Sequence, residues 1–512
     1  MEVRIERGGT GRRESVMSSR AGSALTGEPY VVLRETHSAV VLLVGSRAFK
    51  FKKPVDLGFL DFSTLARRED ACHREVELNR RLAPDVYDGV GQVRDEDGRT
   101  IEHLVLMRRM PDSRRLSRLV ATGVPVDDEL RQVARLVADF HTRCRTGPDV
   151  DAAGMRSSVA RRWQNNFDES RAFRGQVLAP QAYDEVERLS ARFLAGRDAL
   201  FADRIARGAV VDGHGDLLAD DIFCLPDGPR ILDCLDFDDT LRFMDRIDDV
   251  ACLVMDLERL GSPAVGRRFR ELYVEMSGDR APASLIEHYV GYRAFMRAKV
   301  TSMRAGQSAG ARAEAQLLLD IAVRHLVQGA VSLIMVGGTP GTGKTTAAAA
   351  LADELGAVVL SSDRVRKELA GLPAEAPQPA AFGEGIYTEE WSDRTHRELM
   401  RRAASLLSLG ESVIIDATWA DAGRRRAARE LADASASQVV ELRCDAPDKL
   451  ADTRVGAREA GVSDADREIA RELRTRFDPW PEARRVRTMG PIEETVRIMR
   501  DRVRPRPAEA AG

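Results

Sequence analysis

Lysine is scarce in this chain: it occurs only at Lys50, Lys52, Lys53, Lys299, Lys344, Lys367 and Lys449, so arginine supplies 71 of the 78 basic residues. An excess of that kind reads as codon drift, and it makes each surviving lysine a candidate for chemistry that needs an ammonium. Net charge is nearly absent as well. The 78 basic residues stand against 81 acidic ones and leave −3, which excludes a chain-wide electrostatic footprint for nucleic acid or membrane. Cys72, Cys144, Cys224, Cys234, Cys252 and Cys444 include no C-x-x-C pair. That spacing excludes a zinc ribbon and a disulfide framework, and makes a reducing cytoplasm the expected compartment. No apolar run approaches the ~20 residues of a membrane span, and residues 1–28 lack an apolar signal-peptide core. What is present is ample core material. With 512 residues, 43% hydrophobic and 31% charged, the chain is neither collagen-like nor disordered throughout. At ~150 residues per unit, about three folding units are expected.

The pattern along the chain changes twice. Residues 1–28 read as an unstructured tail. Segments 31–35, 39–44 and 48–52 are strand-like, 65–82 is helical, and strand-like sequence returns at 104–107. This predicts a small, mostly antiparallel lobe carrying one helix, over about 29–110. From about residue 111 to 305 the pattern is mainly helical, with short apolar strands at 209–211 and 230–235. A linker helix is expected within 306–330. From residue 331 to 502 apolar strands at 331–336, 357–361, 412–416 and 438–443 alternate with helices. That alternation predicts an α/β parallel sheet with helices on both faces. Residues 503–512 read as a second tail.

The strand at 331–336 runs into Gly338-Thr339-Pro340-Gly341-Thr342-Gly343-Lys344-Thr345-Thr346, which satisfies G-x-x-x-x-G-K-[ST] at every fixed position. Glycines at these places let successive backbone N–H groups turn toward phosphate oxygens, and the helix that follows adds its positive end. Lys344 is expected at the β/γ-phosphates and the Thr345 hydroxyl at Mg²⁺. Asp363 and Arg366 follow the second strand of this half, and Asp416 ends the third. Asp363 is a candidate base for an acceptor hydroxyl, with a helix N-cap as the plainer alternative. Asp416 suits the Mg²⁺ water shell. Arg454 and Arg458, four apart, share one helix face and form a candidate phosphoryl clamp; a solvated arginine face is the alternative. From residue 333 to 458 the chain resembles the P-loop small-molecule kinases related to gluconate kinase and the zeta-toxin kinases. The resemblance implies that Asp363 and Arg366 face the acceptor and that Arg454 and Arg458 face ATP.

The first half carries a second constellation. Arg47-Ala-Phe-Lys50 is reminiscent of the kinase V-A-I-K strand, with Glu75 the natural partner of Lys50. Lys50 and Lys52 share a strand face, so Lys52 is the reserve, and a solvated basic edge is the alternative. His214-Gly-Asp216-Leu is followed by Ile231-Leu-Asp233. Asp216 is expected to orient or deprotonate a hydroxyl and Asp233 to bind Mg²⁺, with Asp236 as fallback. Residues 30–300 resemble the aminoglycoside phosphotransferase family, a branch of the protein-kinase-like α+β fold. The resemblance carries Lys50 and Glu75 to phosphate positioning, His214 and Asp216 to the catalytic loop, and Asp233 to the metal. The family's H-G-D-x-H-x-x-N has His and Asn where Leu218 and Asp221 stand here. Asp221 can still ligate Mg²⁺, but it adds a charge, and Leu218 removes a hydrogen bond. The many acids after the metal motif, Asp238 to Asp249, read as helix caps and arginine partners rather than a pocket for a polycationic sugar.

The whole chain resembles bacterial bifunctional aminoglycoside phosphotransferase/ATP-binding proteins. The expectation is an ATP- and Mg²⁺-dependent phosphotransferase for a small hydroxylated acceptor, with no nucleic-acid or membrane partner and the P-loop half as the engine. The alternatives are a nucleotide sensor with a pseudokinase half, and a toxin-like kinase of nucleotide sugars.

Overall fold

The computed structural model describes residues 3–6, 29–36, 38–56, 58, 60–306, 308–373, 385–456 and 472–504. By contact the chain divides into two compact units: residues 1–154 with 208–280, and residues 155–207 with 281–512. This cut differs from the sequence boundaries at 305 and 330. Helices at 155–207 and 281–328, expected in the kinase-like half or a linker, cluster with the P-loop sheet instead.

In the first unit six antiparallel strands stand in the order β1-β5-β6-β4-β3-β2. They are β1 (Val3–Glu6), β2 (Val31–Glu35), β3 (Ala39–Val44), β4 (Arg47–Lys52), β5 (Tyr87–Arg94) and β6 (Thr100–Arg108). The segment read as a wholly unstructured tail thus contributes an edge strand, with Val3 opposite Val93 and Glu6 opposite Val90. Strand alternation sorts β4. Ala48 joins Cys72, Val76, Val105 and Met107 on the side of helix Leu65–Asn79, while Phe49 and Phe51 pack on Val93, Leu104 and Leu106. Lys50 and Lys52 therefore share the helix side with Ala48. The helix starts at Thr64, whose side chain accepts from the Arg67 N–H, and it buries Cys72, Glu75, Val76 and Asn79 along one face.

The rest of this unit is built on helices Asp127–Arg143, Arg246–Arg259 and Pro263–Ser277. Short antiparallel pairs join β7 (Val210–Asp212) to β10 (Phe243–Asp245), and β8 (Ile222–Leu225) to β9 (Gly228–Ile231). The strand expected to run to residue 235 stops at Ile231. Two residues on, Asp233 takes φ +61°, left-handed backbone that a strand cannot accommodate.

In the second unit β11 (Ser332–Gly337), β12 (Val358–Ser361), β13 (Val413–Asp416), β14 (Gln438–Asp445) and β15 (Arg484–Arg487) form one sheet. All pairings are parallel, in the order β12-β13-β11-β14-β15. Ile334, Val336, Ile414, Val440 and Leu442 meet helices Lys344–Leu355 and Ile492–Val503 on one face. Leu333, Met335 and Ile415 are as deeply buried but alternate to the other face. This unit is an α/β P-loop architecture, and the first has the α+β kinase-like arrangement. The strand β15 carries no apolar alternation beyond Val486, so its sequence gave no sign of it.

Within the stretch expected to be mainly helical, two separate helices follow one another, Pro180–Ala195 and Asp198–Ala206. Gly196 lies at the break, where a Cβ would come within 2.0 Å of the Ser435 carbonyl oxygen. Helix Ala309–Gln328 packs along helix Ala283–Ser302 rather than bridging open space, because Gly291 leaves room for Leu326. Among the described residues no helix is long and apolar enough to cross a membrane.

Candidate functional site

The kinase-like site is assembled around one buried carboxylate. Glu75, 1% exposed at its side chain, lies 2.9 Å from Lys50 Nζ and 2.7 Å from Lys52 Nζ. Lys50 Nζ also reaches Asp233 at 2.7 Å, and Lys52 Nζ reaches Asp236 at 2.6 Å. The structure therefore brings both lysines to Glu75 and gives each a second acid. Burial works against all these charges, and pairing wins. Burial lowers the Lys50 ammonium, yet Asp233 and Glu75 hold it well above the ordinary lysine value. Burial raises Glu75, yet Lys50 and Lys52 hold it below the usual carboxylate range. Asp233 is lowered, first by the charge of Lys50. Asp236 is raised by its burial, which Lys52 offsets only in part.

His214, Gly215 and Asp216 are held from beneath. The Asp249 carboxylate accepts the His214 N–H at 2.7 Å and the Gly215 N–H at 3.0 Å, and pairs with the His141 ring at 3.2 Å. No spacing rule marked Asp249, which sits among several acids and reaches the loop only through folding. Asn79 was missed for the same reason; its Oδ1 accepts the Cys234 N–H, fixing the backbone beside Asp233. Asp221 lies near Asp216 and Asp233, and its carboxyl is pushed well above the usual range, first by burial and then by those two acids. Among the described residues no three His, Cys, Asp or Glu side chains stand as a finished metal cage. Asp221 and Asp233 could hold Mg²⁺ with phosphate oxygens completing its shell.

In the other unit the loop after β11 takes the geometry its sequence requires. Gly338, Gly341 and Gly343 have φ of +141°, +83° and +81°, all costly for a side-chain-bearing residue. A Cβ at Gly338 would lie 2.7 Å from the Cys444 carbonyl oxygen, and one at Gly341 would lie 2.4 Å from that of Ala451. The loop is thus bare backbone wrapped against its neighbours, a shape and donor set that fit a phosphate chain. Thr342 Oγ1 donates to the Thr339 carbonyl. Lys344 opens helix Lys344–Leu355 and is 8% exposed, whereas Thr345 and Thr346 in the same turn are exposed. Pro340 is buried.

Strand register gathers the acids at the same sheet end. Asp416 stands opposite Val336 on one side and Ser361 on the other, and is buried. Asp363 lies in the first turn of helix Ser362–Leu369, whose N-cap position is Ser361. Asp363 is therefore not the capping residue. Arg366 is half-buried and lowered by that burial; it donates to the Ile386 carbonyl at 3.0 Å and to Ser392 Oγ at 3.1 Å, over the Tyr387 ring. Arg454 donates to the Thr488 carbonyl at 2.9 Å, and its guanidinium lies 3.6 Å from where a Gly343 Cβ would stand. Thr488 in turn donates from Oγ1 to the Thr342 carbonyl at 2.6 Å, bracing the loop. It follows the strand that sequence patterning missed, so it carried no signal. Arg458 lies outside the described residues.

The AAA domain family model matches residues 333–480. The uncharacterized protein Rv2004c of Mycobacterium tuberculosis is 44% identical over 473 residues, covering 92% of this chain and 95% of that protein. The Mycobacterium bovis protein Mb2027c matches to the same extent. Among solved structures, a choline/ethanolamine kinase family protein from Mesorhizobium loti is 11% identical, covers 59% of this chain and 93% of its own, and superposes with a TM-score of 0.37. The Mycobacterium tuberculosis APS kinase CysC in complex with AMPPNP and APS is 19% identical, over 34% of this chain and 96% of that one, with a TM-score of 0.26. Sharing 44% identity along 92% of its length, the chain belongs to the same family as these mycobacterial proteins.

Proposed function

We propose that the protein is an ATP- and Mg²⁺-dependent phosphotransferase for a small hydroxylated molecule, with the P-loop half as its engine. The observation that carries this reading is the loop 338–343. Three left-handed glycines precede a buried lysine at a helix N-terminus, beside an acid-tipped parallel strand. ATP with Mg²⁺ supplies the phosphoryl group. Backbone N–H groups of 338–343 hold its phosphate oxygens, Lys344 spreads the charge that develops on them, and Thr345 and Asp416 hold the metal with its water. Asp363 takes the proton of the acceptor hydroxyl as that oxygen bonds to the γ-phosphorus and the bond to the β-phosphate oxygen breaks. Arg366 orients the acceptor, and Arg454 with Arg458 screens the transferring group.

For the kinase-like half one observation favours nucleotide binding without transfer. Leu218 and Asp221 stand where the resembling family has His and Asn, which removes a hydrogen bond and adds a carboxyl beside Asp216 and Asp233. We read the compartment as cytoplasmic from six cysteines that are all free thiols. The test is product analysis with γ-labelled ATP across a panel of sugars and aminoglycosides. Acceptor-dependent label transfer lost in Lys344→Ala and kept in Asp216→Ala supports the reading. Transfer lost in Asp216→Ala and kept in Lys344→Ala assigns the engine to the other half.

A further inference from the structure

A cavity of about 350 Å³ lies within the second unit, lined by helices Pro180–Ala195, Ala283–Ser302 and Ala309–Gln328. Val331 and Gln438, at the amino ends of β11 and β14, close its floor. The phosphate loop is at the other end of β11, six residues or about 20 Å away at strand rise. This cavity is thus separate from the nucleotide site and no step proposed above uses it.

Its lining is mostly apolar and includes the donors Arg192, Arg197 and His288. Leu189, Leu326, Val323 and Val327 provide the hydrocarbon surface. Arg197, 1% exposed, donates to the carbonyls of Gly196 and Ser435 at 2.8 Å each and to Ser437 Oγ at 3.2 Å. Its Nε has no hydrogen-bond partner and, among the described residues, no carboxylate pairs with it. A buried guanidinium without a counter-charge is costly, and burial, with Arg192 nearby, pulls it down to about 10. At neutral pH it remains a cation. Arg192 lines the same cavity and donates only to the carbonyls of Ala436 and Ser437. His288, 1% exposed, is stacked on Phe193 at 4.2 Å and accepts the Trp163 indole N–H on Nε2 at 3.1 Å. Its proton therefore sits on Nδ1, which also lacks a partner. The one acid in the lining, Glu185, has both oxygens on Arg188 at 2.8 and 2.6 Å.

We propose that this cavity binds a small amphipathic anion, with a carboxylate or phosphate head on Arg197, Arg192 and His288 and a hydrocarbon or aromatic body among Leu189, Val323, Leu326 and Val327. The head offsets the guanidinium charge of Arg197 and Arg192; the body displaces water from the apolar wall. The volume lies in the range of pockets that enclose such molecules.

The test is isothermal titration of the full chain with octanoate, octyl phosphate, 1-octanol and inorganic phosphate. Saturable binding of octanoate or octyl phosphate, at least about tenfold tighter than 1-octanol or inorganic phosphate, is the expected result. Octanoate arms against octyl phosphate arms separate a carboxylate from a phosphate head. Arg197→Gln is expected to abolish binding, but it also removes bonds to Ser435. Arg192→Gln, at a half-buried position, and Val327→Trp, which fills the cavity, supply variants that keep those bonds. Each is expected to weaken binding about tenfold or more, while Lys344→Ala leaves it unchanged. Equal binding of 1-octanol, no binding of either acid, or full affinity in folded Arg192→Gln and Val327→Trp overturns the proposal.

Discussion

At the residue scale the first-half site turns on Glu75, which the fold places between two lysines rather than one. Spacing alone put Lys50 and Lys52 on one strand face and left the choice between them open. The structure uses both, because Glu75 presents one carboxylate oxygen to each. Removing one member of a buried ionic group strands the others, at ~3–5 kcal/mol. Glu75→Gln is expected to destabilise the full chain in urea unfolding by up to ~3–5 kcal/mol, because each ammonium then keeps only its second acid, Asp233 or Asp236. The pH dependence has a definite sign. Glu75 has a lowered native value, so its contribution is present above its ordinary value of 4.5 and disappears as pH falls through the native one. Lys50 has a raised native value, so its contribution is present below 10.5 and disappears as pH rises through the native value. The stability gap between wild type and Glu75→Gln should be flat near neutrality and shrink toward acid; a gap that widens there contradicts the pairing. Lys344→Ala, at the phosphate loop, is expected to lower acceptor-dependent ATP turnover by about 10²–10³-fold, the usual effect of removing one preorganised charge-stabilising donor. Steady-state kinetics checks it.

At the element scale, close approach of backbone to backbone decides which glycines matter. Gly341 takes φ +83° with the Ala451 carbonyl 2.4 Å from a Cβ position, so neither the torsion nor the space tolerates alanine. Gly341→Ala is expected to remove ATP binding to the P-loop half, read by titration of a fluorescent ATP analogue. Retained affinity would show that the loop can move off Ala451. Gly196 makes a comparable contact with Ser435 at the break between two helices. Gly196→Ala is expected to destabilise the second unit by ~1–3 kcal/mol, the usual range for overpacking. A fall in the thermal midpoint checks it, with ATP affinity unchanged. Sequence patterning located the phosphate loop, the acid-tipped strand β13 and the amphipathic helices because each is a local signal. It missed β15, whose residues are Arg484, Arg485, Val486 and Arg487, since an edge strand with one buried side chain has almost no alternation to read. It placed no boundary between Pro180–Ala195 and Asp198–Ala206, because that break lies where a distant carbonyl, that of Ser435, approaches Gly196.

At the scale of the whole molecule, the compact units do not follow the order of motifs along the chain. A cut within 306–330 follows the motifs, but helices Ala283–Ser302 and Ala309–Gln328 cluster with the P-loop sheet. Leu318, Leu319, Ile321 and Ala322 on the second of these are at most 1% exposed. A 325–512 fragment is therefore expected to be less stable and more prone to aggregate than the same region inside the full chain. Thermal unfolding and light scattering of the two would show it, and equal midpoints would contradict the assignment of these helices.

The sequence by itself determined the phosphate loop, because that motif is local: glycines, lysine and threonine at fixed spacing carry their own backbone geometry. It also determined that Lys50, Lys52, Glu75, Asp216 and Asp233 were worth watching. Tertiary structure decided the rest. Asp249 beneath the His214–Asp216 loop, Thr488 beneath the phosphate loop and the buried guanidinium of Arg197 at its cavity all depend on residues far apart in the chain. Their partners are set by packing and strand register, and neither is written in the spacing of neighbouring residues.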